Sequence, residues 1–310
     1  MSADIKNFIH VKDWYKTRTV LHSDPYNLDH RLCIVQSDHW GGILNILPIV
    51  KHFADIEGEA PYLSVPLPFV SIFDAISYAK RIDFDTDRTD AIATAARARQ
   101  RFARVICLQP GDIENPKNHR CQSFTQEQWR LGYCLDHFSD ESWPLVFDKA
   151  DRYAPGMTVG EIAVNVTSAI TNPIGYGSSL LALLKAAFPT QISDIGSVTV
   201  PHIWDLVPVM DASRVVVSVD TGTLHLAAAS RTPLIALVGD ESSWRTGQDW
   251  RNCIPRYRCP FRFRYPEVRR NPGLMVDAIE RVTGIKSNPA WMNVSIVDDP
   301  VKSSGQVSNP

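Results

Sequence analysis

The stretch from Arg214 to Asp240 constrains the fold more than any other part of this chain of 310 residues. It reads RVVVSVDTGTLHLAAASRTPLIALVGD: an apolar run as far as Val219, a short polar turn, an Ala- and Leu-rich segment, and a second apolar run from Pro233 to Val238. This order predicts strand, turn, helix and strand. Because neither apolar run alternates with polar residues, both strands are expected to be buried on both faces, as in a parallel sheet covered by helices.

The turn Asp220-Thr221-Gly222 lies where the first of these strands meets the helix. Asp220 occupies the position expected of an N-cap. The free N–H groups of the helix start, together with the positive end of the helix dipole, favour an anion at the carboxyl edge of the sheet. His225, in the first turns of the helix, is expected to point into the same crevice. The alternative is an ordinary capped helix with a buried histidine.

Composition narrows the class of protein. The chain is 44% hydrophobic and 21% charged, which is ordinary globular composition with room for two domains of about 150 residues. A net charge of −2 argues against a surface that coats nucleic acid along its whole length. The six cysteines form no C-x-x-C pair and are expected to be reduced. Neither an apolar leader nor a run of 18 apolar residues occurs, so a cytoplasmic protein without a membrane span is expected.

Strands and helices alternate along the chain. The first strand is predicted at Arg31–Gln36. An apolar helix is predicted from Phe69 to Lys80, a polar helix from Thr89 to Ala103, and a final helix from Gly273 to Thr283. Such alternation predicts an α/β protein with doubly wound sheets. The Pro- and Gly-containing stretch around Asp151 predicts a boundary there. The expected units are 1–150, 151–297 and a disordered polar tail, 298–310.

The string Asp220 to Ala228, with Pro233 and a strand that ends at Gly239, resembles the donor-site signature of the heptosyltransferase-like glycosyltransferases, glycosyltransferase family 9. The resemblance implies a GT-B fold, in which two Rossmann-like domains face each other across a cleft. It further implies an inverting, metal-independent enzyme that needs no cofactor, with a nucleotide-sugar as co-substrate. The donor would be held by the C-terminal domain. The donor-binding residues expected from the signature, from a hydroxyl-rich loop and from a nearby arginine are Thr167, Ser168, Asp220, Thr221, Gly222, Thr223, His225 and Arg245.

A second strand–glycine–helix unit lies near the N-terminus. Gly41-Gly42, followed by an apolar helix that carries Leu47-Pro48, is similar to the acceptor-side loop of the same family. Gly42 replaces the aspartate that is taken to be the family's general base. The nearest replacements are Asp38 and His39, either of which can accept a proton from an acceptor hydroxyl. The alternative for Asp38 is an Asx turn that binds only loop N–H groups.

Two polar stretches of the N-terminal half were considered, one as a metal site and the other as a loop that binds the acceptor. Asp83, Asp85 and Asp87 form a D-x-D-x-D run, but the glycine and glutamate of a calcium loop are missing, so a solvated turn is expected there and no metal site. The loop 110–120 is turn-rich and polar, which suits an acceptor-side loop. Asp112 is its candidate acceptor-binding residue.

The stretch 251–270 holds seven arginines against one acid, Glu267. Aromatic residues lie between the arginines: Tyr257, Phe261, Phe263 and Tyr265. Arginine suits bidentate contact with phosphate, and aromatic rings can stack on bases. Arg256 and Arg258 are therefore candidate acceptor-binding residues. The alternative is a strand or loop with an exposed basic face.

These features favour a glycosyltransferase whose acceptor is either a saccharide, including a phosphorylated one, or a hydroxymethylated base in DNA, as in viral DNA-glucosylating enzymes. The basic and aromatic stretch tilts this choice toward DNA. Because Gly42 removes the family's base, the alternative is a non-catalytic nucleotide- or nucleic-acid-binding protein that keeps the fold. The sequence does not indicate an oligomeric state.

Overall fold

The computed structural model describes residues 28–37, 39–82, 91–109, 124–137, 145–149, 159–167, 174–239 and 259–300. Two compact units divide the chain, Met1–Phe138 and Ser139–Pro310. The boundary expected near Asp151 lies outside the described residues. Within the described ranges, no helix combines the length and the apolar character that crossing a membrane requires.

The N-terminal unit is built on a four-stranded sheet in which every pair of neighbouring strands is parallel. Its strands, in the spatial order β3-β2-β1-β4, are β1 Asp29–Val35, β2 Tyr62–Ser64, β3 Lys80–Arg81 and β4 Phe102–Cys107. Its helices are α1 Trp40–Glu57, α2 Ile72–Ala75, α3 Ala91–Ala98 and α4 Phe124–Leu131, with 3-10 turns at Leu67–Phe69 and Leu135–His137. The chain adds β2 and β3 on one side of β1 and then returns to add β4 on the other side. The switch point of this sheet, where the order of the strands reverses, therefore lies between β1 and β4.

Helix α1 begins one residue after His39 and ends at Glu57. Gly58 follows it with a left-handed backbone (φ 70°), a conformation that glycine adopts easily at a helix C-terminus. Gly41 and Gly42 therefore lie in the first helical turn, whereas the sequence placed them in a loop. Pro48 lies inside the helix and cannot donate a hydrogen bond there. Ten residues of α1 are buried, which anchors the helix despite the proline.

Two helices predicted in the N-terminal unit are shorter than expected. Within the segment 69–80, only Phe69, which ends the 3-10 turn, and the four residues of α2 are helical, and Lys80 already belongs to β3. The backbone N–H of Lys80 donates to the carbonyl of Pro61 at 2.8 Å, so pairing with the sheet ends the helical path early. Likewise α3 ends at Ala98, because Phe102 is buried as the first residue of β4.

The C-terminal unit contains a five-stranded sheet, also parallel at every pairing. In the spatial order β6-β5-β7-β8-β9, its strands are β5 Ile162–Asn165, β6 Ile192–Asp194, β7 Val215–Val219, β8 Leu234–Val238 and β9 Phe261–Arg264. Its helices are α5 Gly177–Ala187, α6 Val207–Ala212, α7 Gly222–Leu226, α8 Tyr265–Arg270 and α9 Gly273–Thr283, with 3-10 turns at Ile203–Leu206, Ala227–Ala229 and Pro289–Asn293.

Strands β7 and β8 are buried at all five of their positions, as the continuous apolar runs of the sequence predicted. On one face, the alternate valines Val215, Val217 and Val219 pack in one core with buried residues of α5 and α9. Deleting one buried leucine from such a core costs about 2–5 kcal/mol. The core therefore fixes β7, and with it the turn that follows at Asp220.

The segment 284–300 returns along α5 and is attached at both ends of that helix. The backbone N–H of Asn288 donates to the carbonyl of Ala187 at 2.7 Å, and the carboxylate of Asp299 accepts from the N–H of Ser178 at 3.1 Å. Asp298 pairs with Arg269 at 2.7 Å. The disordered tail expected from 298 onward therefore does not begin there, since charge pairing and a helix N-terminus hold these two aspartates. Residues 301–310 lie outside the described ranges.

Candidate functional site

The carboxyl ends of β5 and β7 form the switch point of the C-terminal sheet. From β5 the chain moves to β6 on one side and then crosses to β7 on the other, so the connections that leave β5 and β7 diverge. Such a divergence opens a crevice that α/β proteins use to bind ligands. The residues at these two strand ends include Asn165, the last residue of β5, Thr167 just beyond it, and Asp220 and Thr221 after β7.

The turn after β7 differs from the prediction by one residue. Thr221, not Asp220, is the N-cap of α7, and its backbone is extended (φ −146°, ψ 175°). No side chain caps the helix; the Thr221 hydroxyl donates instead to the carbonyl of Val219 at 3.4 Å. Asp220 is displaced from the cap position because the helix starts only at Gly222, and its carboxylate Oδ1 lies 3.7 Å from Nε2 of His225.

The start of α7 offers three hydrogen-bond donors. Within the described part of the chain, the backbone N–H groups of Thr221, Gly222 and Thr223 have no acceptor, because the first N–H bonds of the turn begin at Leu224 and His225. The fold thus leaves a row of N–H groups at the carboxyl edge of the sheet. An anionic oxygen placed against them would satisfy several donors at once.

His225 is buried, with 8% of its surface exposed, and it lies beside the Asp220 carboxylate. The structure therefore brings these two predicted donor-site residues together, and Thr223 lies on the same short helix as His225. An aspartate–histidine contact of this kind fixes the orientation of the imidazole.

Tyr265 is a member of this site that the sequence did not reveal. Its phenolic oxygen accepts from the backbone N–H of Asp220 at 3.4 Å, and its own carbonyl accepts from the hydroxyl of Tyr176. Burial raises the pKa of both phenols. A signal for a helix start was present, since Pro266 and Glu267 follow Tyr265, but this signal does not tell which way the Tyr265 side chain points.

Both phenols are expected to remain protonated well above pH 10. Tyrosine in an unfolded chain titrates near a pKa of ~10, so above that pH the folded state binds more protons than the unfolded state. Stability is therefore fully present below about pH 10 and falls as the pH rises further. In an alkaline titration, tyrosinate absorbance from Tyr176 and Tyr265 should appear together with the loss of circular dichroism. The variants Tyr176→Phe and Tyr265→Phe identify how much of the absorbance change comes from each of these two phenols. Ionisation of every tyrosine before the protein unfolds would contradict their burial.

The structure describes three aromatic residues of the basic stretch, and none of the three rings is fully exposed; Tyr257 lies outside the described residues. Phe261 and Phe263 pack against the core of the C-terminal unit, and Tyr265 is 7% exposed. Alternation along β9 explains this, because every second side chain of a strand points to the same face. Arg256 and Arg258 lie outside the described residues.

The other donor-side candidates are partly described. Thr167 is exposed just beyond β5, while Ser168 and Arg245 lie outside the described residues. Among the described residues no group of three or more His, Cys, Asp or Glu could hold a metal ion. The acidic run at 83–87 falls outside them.

The acceptor-side candidates that the structure describes, His39, Gly41 and Gly42, follow β1 in the N-terminal unit. His39 is exposed and is the N-cap residue of α1, whose N-terminus has neither a side-chain cap nor an acidic residue in its first turn. The carbonyl of Gly42 faces the amide of Gln128 on α4, with a donor–acceptor distance of 3.5 Å. Asp38 and Asp112 lie outside the described residues. The candidates thus form two groups, one on each unit.

Comparison with known proteins agrees with the position of the C-terminal site. The family model Glycosyltransferase family 9 (heptosyltransferase) matches residues 202–257, a segment that contains the turn at Asp220 and the whole of α7. The resemblance predicted from the sequence is confirmed over this segment. No curated protein matches the chain significantly.

Two solved structures have the same fold. Heptosyltransferase WaaC of E. coli, in complex with ADP, is 17% identical with a TM-score of 0.51, over 82% of this chain and 100% of that one. The iron-containing dodecameric glycosyltransferase TibC of enterotoxigenic E. coli H10407 is 14% identical with a TM-score of 0.50, over 76% of this chain. The chain spans 62% of the length of TibC. Together with the two parallel sheets, these likenesses confirm the predicted α/β fold of GT-B type with two Rossmann-like units.

Proposed function

We propose, on the premise that residues 202–257 carry a family 9 segment on a GT-B fold, that this protein is an inverting glycosyltransferase. It moves a sugar from a nucleotide-sugar to an acceptor hydroxyl. One observation carries the proposal: the segment matched by the family model includes the turn at the switch point of the C-terminal sheet, where three backbone N–H groups have no acceptor within the described chain.

The donor half of the reaction requires a group that stabilises the leaving nucleoside diphosphate. Preorganised N–H groups stabilise such charge without further rearrangement. Thr221, Gly222 and Thr223 supply them in this proposal, and the hydroxyls of Thr167 and Ser168 add neutral donors from the end of β5. Arg245 is assigned to the same diphosphate, because a guanidinium fits two phosphate oxygens at once.

The acceptor half requires a base that removes the proton of the incoming hydroxyl. Gly42 has no side chain to do so, and we assign the role to Asp38, with His39 beside it as a positioning group. In this proposal Gly41, Gly42 and Asp112 contact the acceptor. His39 supports the assignment in that it is exposed where β1 gives way to α1.

A saccharide is the favoured acceptor. The sequence tilted the choice toward DNA because aromatic rings alternate with arginines, but Phe261 and Phe263 are half-buried against the core and Tyr265 is buried, which leaves these rings little face to stack on bases. The arginines that remain, including Arg256 and Arg258, suit the phosphates of a phosphorylated saccharide as well as those of DNA.

A panel of nucleotide-sugars tests the function directly. Because WaaC is known with bound ADP, ADP-sugars come first, followed by UDP-, GDP- and dTDP-sugars, each with a phosphorylated saccharide and with hydroxymethylated DNA as acceptor. Mass spectrometry reads the mass gained by the acceptor. Transfer to DNA alone would reverse the acceptor choice. Nucleotide binding without transfer or hydrolysis in any combination would favour a non-catalytic binding protein, which the missing carboxylate at Gly42 makes the second candidate.

Transfer is expected to be insensitive to metal removal. In this proposal backbone N–H groups and side chains, and not a metal ion, stabilise the charge of the diphosphate. Activity after dialysis against EDTA should therefore stay within about twofold of that of the untreated protein. Initial rates with and without chelator measure this. Loss of activity in EDTA that Mg²⁺ or Mn²⁺ restores would overturn metal independence and return attention to Asp83, Asp85 and Asp87.

We also propose a reducing compartment, the cytoplasm. The cysteines that the structure describes, Cys33, Cys107, Cys134 and Cys259, are free and buried. Burial raises the pKa of the Cys33 and Cys134 thiols to about 12. Thiols with so little thiolate are unreactive and behave as small apolar groups.

A further inference from the structure

Asn165 lies at the centre of the C-terminal switch point. It is the last residue of β5, it is 1% exposed, and its strand runs between β6 and β7. Its amide nitrogen Nδ2 donates to the hydroxyl oxygen of Thr221 at 3.4 Å. One buried side chain therefore connects the end of β5 to the N-cap residue of α7.

The same amide sets the position of the connection that follows β6. A Cβ atom added to Gly196 would lie 2.6 Å from Oδ1 of Asn165 and 3.1 Å from the hydroxyl oxygen of Thr167. Gly196 is not among the glycines with positive φ, so space and not backbone conformation excludes a side chain. The connection after β6 thus rests directly on Asn165 and Thr167.

Three connections at the carboxyl edge consequently meet at one amide: those after β5, β6 and β7. Two of the three threonines that were assigned to the donor on sequence grounds, Thr167 and Thr221, lie in this cluster. The Thr221 hydroxyl accepts from Asn165 and donates to the carbonyl of Val219, which fixes its orientation. A neutral amide achieves this without placing a negative charge beside a diphosphate.

We propose that Asn165, with Gly196 packed against it, is the positioning residue of the donor site. It holds Thr221 so that the backbone N–H of Thr221 faces the diphosphate of a nucleotide-sugar, and through Gly196 it sets the place of Thr167. The inference rests on the proposed function and deepens it. Asn165 acts through the two threonines and is not itself assigned a bond to the donor. Its replacement should therefore change donor affinity more than the chemical step.

The variant Asn165→Asp keeps the shape of the side chain, removes the amide donor and adds a negative charge. Calorimetry with ADP and UDP is expected to show about a tenfold or greater loss of affinity, equivalent to ~1.4 kcal/mol. In transfer assays the KM for the donor should rise by a similar factor while kcat stays within about threefold. Ser218→Ala is the matched control, because Ser218 pairs with Asn165 in register on β7 and its buried hydroxyl donates to the carbonyl of Val219. It should keep wild-type affinity.

A double-mutant cycle tests the packing without any ligand. Gly196→Ala should lower Tm by several degrees, because the added methyl group overlaps Oδ1 of Asn165. Combining it with Asn165→Ala removes that overlap, so the double variant should lose clearly less than the sum of the two single losses. Additive losses would show that the two residues do not constrain each other and would overturn the shared cluster.

The outcomes separate the two levels of inference. A wild-type protein that binds none of ADP, UDP, GDP and dTDP overturns the proposed function, and with it the role of Asn165 toward a donor. A wild-type protein that binds a nucleotide, with Asn165→Asp binding it equally well, overturns the positioning role alone. A fall in kcat without a change in KM would give Asn165 a part in the chemical step and would also overturn the proposal.

Discussion

Replacement of Gly222 by valine is expected to lower nucleotide-sugar affinity by about 100-fold or more. Gly222 is the first residue of α7, and its N–H and those of its two neighbours lack an acceptor within the described residues. A branched side chain there blocks the approach of a phosphate to the backbone. Hydrogen bonds to charged groups contribute ~1.5–3 kcal/mol each, so the loss of two corresponds to at least this factor in Kd. Calorimetry with the nucleotide that the wild-type protein binds measures the change.

The control for Gly222→Val is Ala182→Val, which places the same residue at an exposed helical position of the same unit. It accounts for the small helix cost of a β-branched residue. Gly222→Ala should fall between the wild-type protein and Gly222→Val in affinity. Asp220→Ala should weaken binding through the orientation of His225 and not through a lost helix cap. Wild-type affinity in both Gly222 variants would remove the donor site from this turn.

Conversion of Asp38 to asparagine is expected to reduce turnover by roughly 100-fold while donor affinity stays near the wild-type value. This is the usual size of a lost general-base contribution. Because the base acts on the acceptor, calorimetry with the nucleotide alone should not register the change. Single-turnover transfer measures the chemical step separately from product release.

His39→Gln is the companion variant and is expected to have a smaller effect, since an imidazole beside the aspartate positions the acceptor in this proposal. The reverse order of effects would assign the proton to His39. Full activity in both variants would show that the base lies elsewhere, and Asp112 or Glu114 in the loop 110–120 would be the next residues to replace.

Much of the C-terminal unit could be predicted because its sequence signals are local. The runs around Val217 and Ile235 have no alternation, and both strands are buried on both faces. The last helix was predicted from Gly273 to Thr283 and has those bounds. There, apolar spacing and a terminal glycine, Gly284, agree with each other.

The details of the site could not be predicted, because they depend on partners distant in sequence. An aspartate at the end of a strand is a normal N-cap signal, yet the helix starts one residue later than Asp220 implies. Tyr265 was grouped with exposed aromatics because strand alternation and its place beneath the turn appear only once β9 is paired with β8. The sequence around Asn165 does not indicate that Gly196 packs against it. The two residues come together only because β6 pairs with β5 in the sheet.

The placement of β5 and α5 has a consequence for how the C-terminal unit forms. Ile162 pairs with Val215, 53 residues later (215 − 162), and the N–H of Ser178 meets the carboxylate of Asp299 across a separation of 121 residues. Contacts so distant in sequence slow folding, because a long loop must close before they contribute. At a synthesis rate of ~5–20 residues per second, Asp299 is synthesised about 6–24 s after Ser178 in the first turn of α5. Until then water occupies that place, and this helix end should be the last part of the unit to gain protection from hydrogen exchange.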